Sequence, residues 1–199
     1  MSPTPDAPES AAGRERGHGI VARLFHWVTA MLVLGTIPVG IAMVSEGFEG
    51  IGDALYIVHK NVGVIVMAIL VLRLLWKLAT PAPPALPESV PPLQRRLAES
   101  THLFLYVLLG IMTATGYLRV VSGDFPIELL DALGVPPLLS GRPDLSRTLS
   151  VIHKFTAYVL VATLAVHTAA AAHHALILRD GVFSRMWPPW RRDAGTGTP

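Results

Sequence analysis

Four apolar stretches dominate this chain: residues 24–44, 55–78, 101–121 and 150–178. Each matches or exceeds the ~20 helical residues that cross a ~30 Å hydrocarbon core. Lipid offers no water to pair backbone N–H and C=O groups, so each stretch must be a helix. The expected fold is therefore all-α, an integral membrane four-helix bundle. Composition agrees, with 51% apolar and 15% charged residues. A net charge of +2 argues against nucleic acid as a partner and leaves membrane lipid as the surroundings. The absence of cysteine excludes disulfides, Cys-ligated iron–sulfur clusters and covalent c-type haem.

Charge sets the expected orientation. Arg14, Arg16 and Arg23 precede the first stretch. Arg73, Lys77, Arg95 and Arg96 flank the second connection, and Arg179, Arg185, Arg191 and Arg192 follow the last stretch. The first connection carries Glu46, Glu49 and Asp53, and the third mixes Arg142 and Arg147 with Asp124, Glu128, Asp131 and Asp144. Basic residues mark the cytoplasmic side, so both termini are expected inside. Residues 1–19 are polar, lack the apolar core of a signal peptide, and read as a disordered cytoplasmic tail. Residues 20–188 form the expected membrane domain and residues 189–199 a flexible tail. The proline-rich stretch 79–92 reads as a stiff inner linker. Residues 127–133 are expected to form a short helix on the outer surface. Pro38 is expected to kink the first span. Gly35, Gly40, Gly63, Gly110 and Gly116 permit close approach of helices or of a flat macrocycle, with helix packing the plainer expectation.

Histidines sit near the ends of all four spans. His153 and His167 are fourteen residues apart, which gives ~21 Å of rise and about 40° of angular offset. One helix thus offers two imidazoles on one face at two depths. His59, at the start of the second span, shares the outer depth with His153. His26, at the start of the first, lies near the inner side, where depth allows His167 or His174 as its partner. The nearer spacing to His153 favours His167, because His174 would lie ~31 Å away and electron tunnelling falls steeply with distance. One such histidine is ordinarily a hydrogen-bonded or interfacial side chain. Four at pairable depths point to coordination, with two bis-histidine haems forming an electron path across the membrane.

The chain resembles the bacterial cytochrome b561 family of four-helix, di-haem membrane proteins. The resemblance is carried by RLFHW at 23–27, IVHKNVG at 57–63 and VLRLLWKLATPAPPALP at 71–87. It continues in HLFLYVLLGIMTATGYL at 102–118, IHKFTAY at 152–158 and HTAAAAHHALILRDGVFSRMWP at 167–188. It implies two haem b groups, one held by His59 with His153 and one by His26 with His167. It also implies residence in the bacterial inner membrane, electron exchange with ubiquinone at the inner side, and oxidation of superoxide at the outer haem.

Around these haems, Lys60 and Lys154 directly follow the outer ligands. They either snorkel to the interface or form a positive funnel that attracts a small anion such as superoxide, helped by Arg142 and Arg147. His102, His174 and Arg73 lie near the inner haem in depth. The two histidines suit a quinone, which needs hydrogen-bond donors and protons on reduction. Arg73 also suits a haem propionate or a positive-inside anchor, and His173 reads as a solvated interfacial residue. Two other readings compete. One is a membrane anchor that passes electrons between quinone and a separate redox enzyme. The other is a metal transporter, disfavoured because no Asp or Glu lies well inside a span.

Overall fold

The computed structural model describes residues 18–81 and 90–187. Apart from His18 and Gly19, the expected terminal tails therefore lie outside the described residues, as does most of the proline-rich linker. Among the described residues there are five α-helices: α1 (Ile20–Ala42), α2 (Gly52–Ala79), α3 (Pro92–Ser122), the short α4 (Glu128–Ala132) and α5 (Pro143–His173). No strand occurs among the described residues. Four helices are long and apolar enough to cross a membrane, the fourth including a π-helical turn at His174–Leu178.

The helices overrun the apolar stretches. α3 starts at Pro92, nine residues before its apolar stretch, and α5 starts at Pro143. Proline at the first helical position fits both starts, since its missing N–H is unpaired there anyway. The polar turn after Pro92 consists of good helix formers, Leu93, Gln94, Arg95, Arg96, Leu97 and Ala98. Hydropathy marks the length in lipid, whereas propensity and caps mark the helix. α1 runs unbroken through Pro38. The short helix expected at 127–133 is α4.

The bundle is built from two closely packed pairs, α1 with α2 and α3 with α5, joined by a sparser α2–α3 contact. Val33, Val66, Leu70, Leu108 and Leu160 are buried between the helices. Large apolar residues such as Met31, Leu75, Leu103 and Val166 face outward on the four long helices, as lipid requires. Threonine hydroxyls inside the bundle donate to their own helix: Thr29 to the Phe25 carbonyl at 2.6 Å and Thr115 to the Ile111 carbonyl at 2.6 Å. That satisfies each hydroxyl without water.

Each end of the bundle is closed by a short segment. At the loop end, α4 is clamped to the start of α2. Lys60 Nζ donates to the Pro126 carbonyl at 2.7 Å and to Glu128 Oε1 at 2.8 Å. Asn61 donates to Glu128 Oε2 at 3.2 Å and accepts the Leu129 N–H at 3.0 Å. At the terminus end, the chain after α5 returns beneath α1. Trp27 Nε1 donates to the Met186 carbonyl at 2.8 Å, the Trp27 and Trp187 rings meet edge-on at 5.2 Å, and the His18 N–H donates to the Arg185 carbonyl at 3.2 Å.

Candidate functional site: two stacked imidazole pairs

Five of the histidines on the spans converge between the helices. His59 of α2 faces His153 of α5, with ring centres 6.3 Å apart and planes at 82°. His26 of α1 faces His167 of α5, with centres 6.4 Å apart and planes at 52°. His102 of α3 lies closer to His167, at 5.5 Å. A metal between two imidazoles needs two bonds of ~2.0–2.1 Å plus two ring radii of ~1.1 Å, or about 6.3 Å between centres. The first two pairs meet that span. The His102–His167 pair is too close for it, so His102 is a neighbour of the second pair. Among the described residues, no three His, Asp or Glu side chains converge as a cage for a bare ion. Two imidazoles suffice for a haem iron, whose macrocycle supplies the remaining ligands.

Two glycines shape the first pair. A Cβ on Gly40 of α1 would stand 2.8 Å from His59 Cε1, and one on Gly116 of α3 would stand 3.0 Å from His153 Cε1. Each imidazole thus lies over bare backbone of the adjacent helix. Gly35, Gly63 and Gly110 have nothing within 4 Å of such a Cβ, so the five glycines differ in role. Thr115 Oγ1 lies 3.2 Å from His153 Nδ1, and His59 Nδ1 is buried with no hydrogen-bond partner. His26 Nδ1 is buried with no hydrogen-bond partner. An orphaned buried ring nitrogen costs about 1–3 kcal/mol, which fits a functional ring better than a packing one. The donor set, the spans and the glycine cradles together fit two bis-histidine haems.

Charge around the two pairs is positive. Arg119 of α3 is within electrostatic reach of both His59 and His153. Arg73 of α2 reaches His18, His26, His102 and His167, and its guanidinium lies 5.0 Å from the Tyr106 ring centre, with Lys77 at 4.9 Å from the same centre. Burial, then Arg185, Arg23 and Arg73, hold His18 down at about 4.

Of the two lysines expected either to snorkel or to form a funnel, Lys60 is ion-paired with Glu128, its side chain 13% exposed, so its charge is offset. Lys154 is exposed, and Arg147 is paired with Asp144. Arg119 went unread in the sequence although a signal existed, since it is a basic residue near the end of an apolar stretch on the side that charge bias marks as outside. His18 has no such signal, because only the return of the 180–187 segment places it near Arg185. His174 is paired with Asp180, not with His26.

The family model described as Prokaryotic cytochrome b561 matches residues 17–189. "Cytochrome b561 homolog 2" of Escherichia coli (strain K12) is 31% identical over 170 residues, covering 85% of this chain and 90% of the relative. The protein named "Probable superoxide oxidase CybB" of Yersinia pestis is 26% identical over 171 residues, covering 83% and 93%. "Cytochrome b561 homolog 1" of Escherichia coli (strain K12) is 25% identical over 167 residues, covering 82% and 92%. With its four membrane-length helices, its facing imidazoles and a family match over nearly all of its described residues, the chain belongs to the prokaryotic cytochrome b561 family of haem b membrane electron carriers.

Proposed function

We propose that the protein is a di-haem superoxide:ubiquinone oxidoreductase of the bacterial inner membrane, with both termini cytoplasmic. The observation that carries this reading is the pair of 6.3 and 6.4 Å imidazole spans sharing α5. His59 and His153 would hold the outer haem, and His26 and His167 the inner one. Bound haem iron supplies one-electron chemistry by cycling between ferric and ferrous states. His153 and His167 are ~21 Å apart along α5, less the reach of the two macrocycles, which is a workable interval for electron transfer.

The chain's own residues supply the rest. Arg119 and exposed Lys154 present positive charge beside the outer pair, which raises the encounter rate of a small anion. Lys60 acts there by fastening α4 through Glu128. At the inner end, His102, His174 and Arg73 offer donors and protons to a quinone. The overall reaction converts two superoxide ions, one quinone and two protons into two dioxygen molecules and one quinol. Superoxide as substrate is favoured by the name of the Yersinia pestis relative. A cytochrome b anchor for a separate redox enzyme is the alternative, and copurification of a large soluble partner would favour it.

The first test is a reduced-minus-oxidised spectrum of the purified protein with haem-to-protein stoichiometry. Two b-type haems per chain are expected. One haem would overturn the transmembrane path. Superoxide-driven reduction of a soluble ubiquinone analogue then tests the reaction. Lys154→Gln is expected to slow it at low ionic strength and to flatten its salt dependence.

A further inference from the structure

The end of α5 is broken in a specific way. α-Helical backbone stops at His173, a π turn covers His174–Leu178, and Arg179 adopts φ 50° in the left-handed region, its N–H donating to the His174 carbonyl at 2.8 Å. In a continuous helix, residue 180 would lie six residues past His174, about 240° around the axis and ~9 Å further along it. The break instead brings Asp180 back, with Oδ2 2.6 Å from His174 Nδ1. A left-handed backbone is strained for a non-glycine residue, and π turns concentrate at functional sites. Asp180 Oδ1 accepts the Val182 N–H at 3.2 Å, which fixes the carboxylate. Both side chains are mostly buried, 19% and 22% exposed. Partial burial pushes the Asp180 carboxyl up, but the His174 and Val182 bonds outweigh it and hold it below its usual value. His174 follows His167 by seven residues, ~10 Å further along α5 and within about 20° of the same face.

We infer that His174 and Asp180 form a proton-transfer dyad for a quinone at the inner end, in which Asp180 is a positioning residue. The inference rests on the quinone reading proposed above and adds to it the partner and the atom. Asp180 keeps the proton on His174 Nδ1, so Nε2 is the nitrogen that exchanges. As a quinone oxygen gains electrons from the carrier, the Nε2–H bond of the imidazolium breaks and an O–H bond forms. His174 is left neutral with Nδ1–H still bonded to Asp180, and Nε2 recovers a proton from water at the membrane edge. Two such transfers with two electrons convert quinone to quinol. Asp180 itself stays ionised, the role a carboxylate plays when it orients a catalytic imidazole.

Asp180→Asn separates this role from simple helix capping. Because Oδ1 is held by the Val182 N–H, the new NH2 group falls on the His174 side. It donates to Nδ1, moves the neutral ring's proton to Nε2, and opposes the imidazolium. The experiment follows reoxidation of the dithionite-reduced protein by decyl-ubiquinone in stopped flow. The expected result is a roughly 100-fold fall in kcat, with KM, haem content and spectrum unchanged and the rate recovered in Asp180→Glu. Selective ¹⁵N labelling of histidine gives a readout independent of turnover: Nδ1–H in the native protein and Nε2–H in Asp180→Asn. An unchanged kcat or an unchanged tautomer overturns the dyad. If Asp180→Asn loses haem, the native protein decides: a solvent isotope effect on reoxidation supports the relay, and its absence overturns it. Failure of decyl-ubiquinone to reoxidise the native protein overturns the quinone reading itself, and the dyad's role with it.

Discussion

Gly40→Ala is the most discriminating single perturbation of the outer pair. The added Cβ would stand 2.8 Å from His59 Cε1 and 3.2 Å from Nδ1. Ordinary carbon–carbon contact is ~3.5–4.0 Å, so the ring must retreat by roughly 0.7 Å or more. Metal–ligand distances tolerate only about 0.2 Å. Overpacking of this kind costs ~1–3 kcal/mol, and at 1.4 kcal/mol per tenfold the outer haem should be held roughly 5- to 150-fold more weakly. Gly116→Ala, at 3.0 Å from His153 Cε1, should act in the same direction with smaller effect. Gly35→Ala and Gly110→Ala meet nothing within 4 Å and should be silent or slightly stabilising, since alanine is the better helix former. The assay is haem per chain after dialysis against apomyoglobin, with low-spin EPR signals to count bis-histidine sites. A Gly40→Ala protein that keeps both haems with unchanged outer-site spectrum and potential would refute the cradle.

Arg119→Gln should lower the midpoint potential of the outer haem by tens of millivolts, because a nearby cation favours the less positive ferrous state; an unchanged redox titration would remove Arg119 from the site. Glu128→Gln should loosen α4, seen as faster hydrogen exchange at the Leu129 amide. It also leaves Lys60 uncompensated beside the outer pair, so the superoxide rate at low salt should rise. Partial burial raises the Glu128 carboxyl, but the bonds from Lys60 and Asn61 outweigh it and hold it below 4.5. The native latch is therefore at full strength above pH 4.5 and should fade as pH falls through the lowered value. For His18, held at about 4 against an ordinary 6.5, the unfolded chain binds the extra proton between those values. Stability should rise with pH across that window and level off above it, and His18→Gln should flatten the slope of thermal midpoint against pH.

The spans and the four paired histidines were legible because each rests on a strong local constraint. Lipid dictates helices of a given length, and a helix of fixed pitch places His153 and His167 on one face. The His26 partner was ambiguous by depth, because His174 is only seven residues beyond His167 and on the same face. What separates them is the break after His173, which turns the chain so that Asp180 reaches His174. Neither hydropathy nor spacing reports a π turn. The Lys60–Glu128 pair was hidden for a related reason. Its partners are 68 residues apart, and only the seating of α4 on α2 joins them. Gly40 and Gly116 stood among five similar glycines until a ring was found over two of them.

The helix contacts carry a consequence for stability. α5 makes its main backbone contacts with α3, and α1 with α2, leaving α2–α3 as the chief direct packing between the halves. Between the clamped ends, the halves also face each other through His59–His153 and His26–His167. A group bound by both imidazoles of a pair therefore ties one half to the other across the middle of the bundle. Ligand that binds only the folded state adds about 2.7 kcal/mol of stability at a hundredfold excess over its dissociation constant. Removing one ligand from each pair should thus not be equivalent to removing both ligands of one pair. His59→Ala leaves the inner tie intact, whereas His59→Ala with His26→Ala severs both, so the double variant should lose far more thermal stability than the pair His59→Ala with His153→Ala. Equal losses would mean that the halves are held by packing alone and that the imidazole pairs serve chemistry without serving the fold.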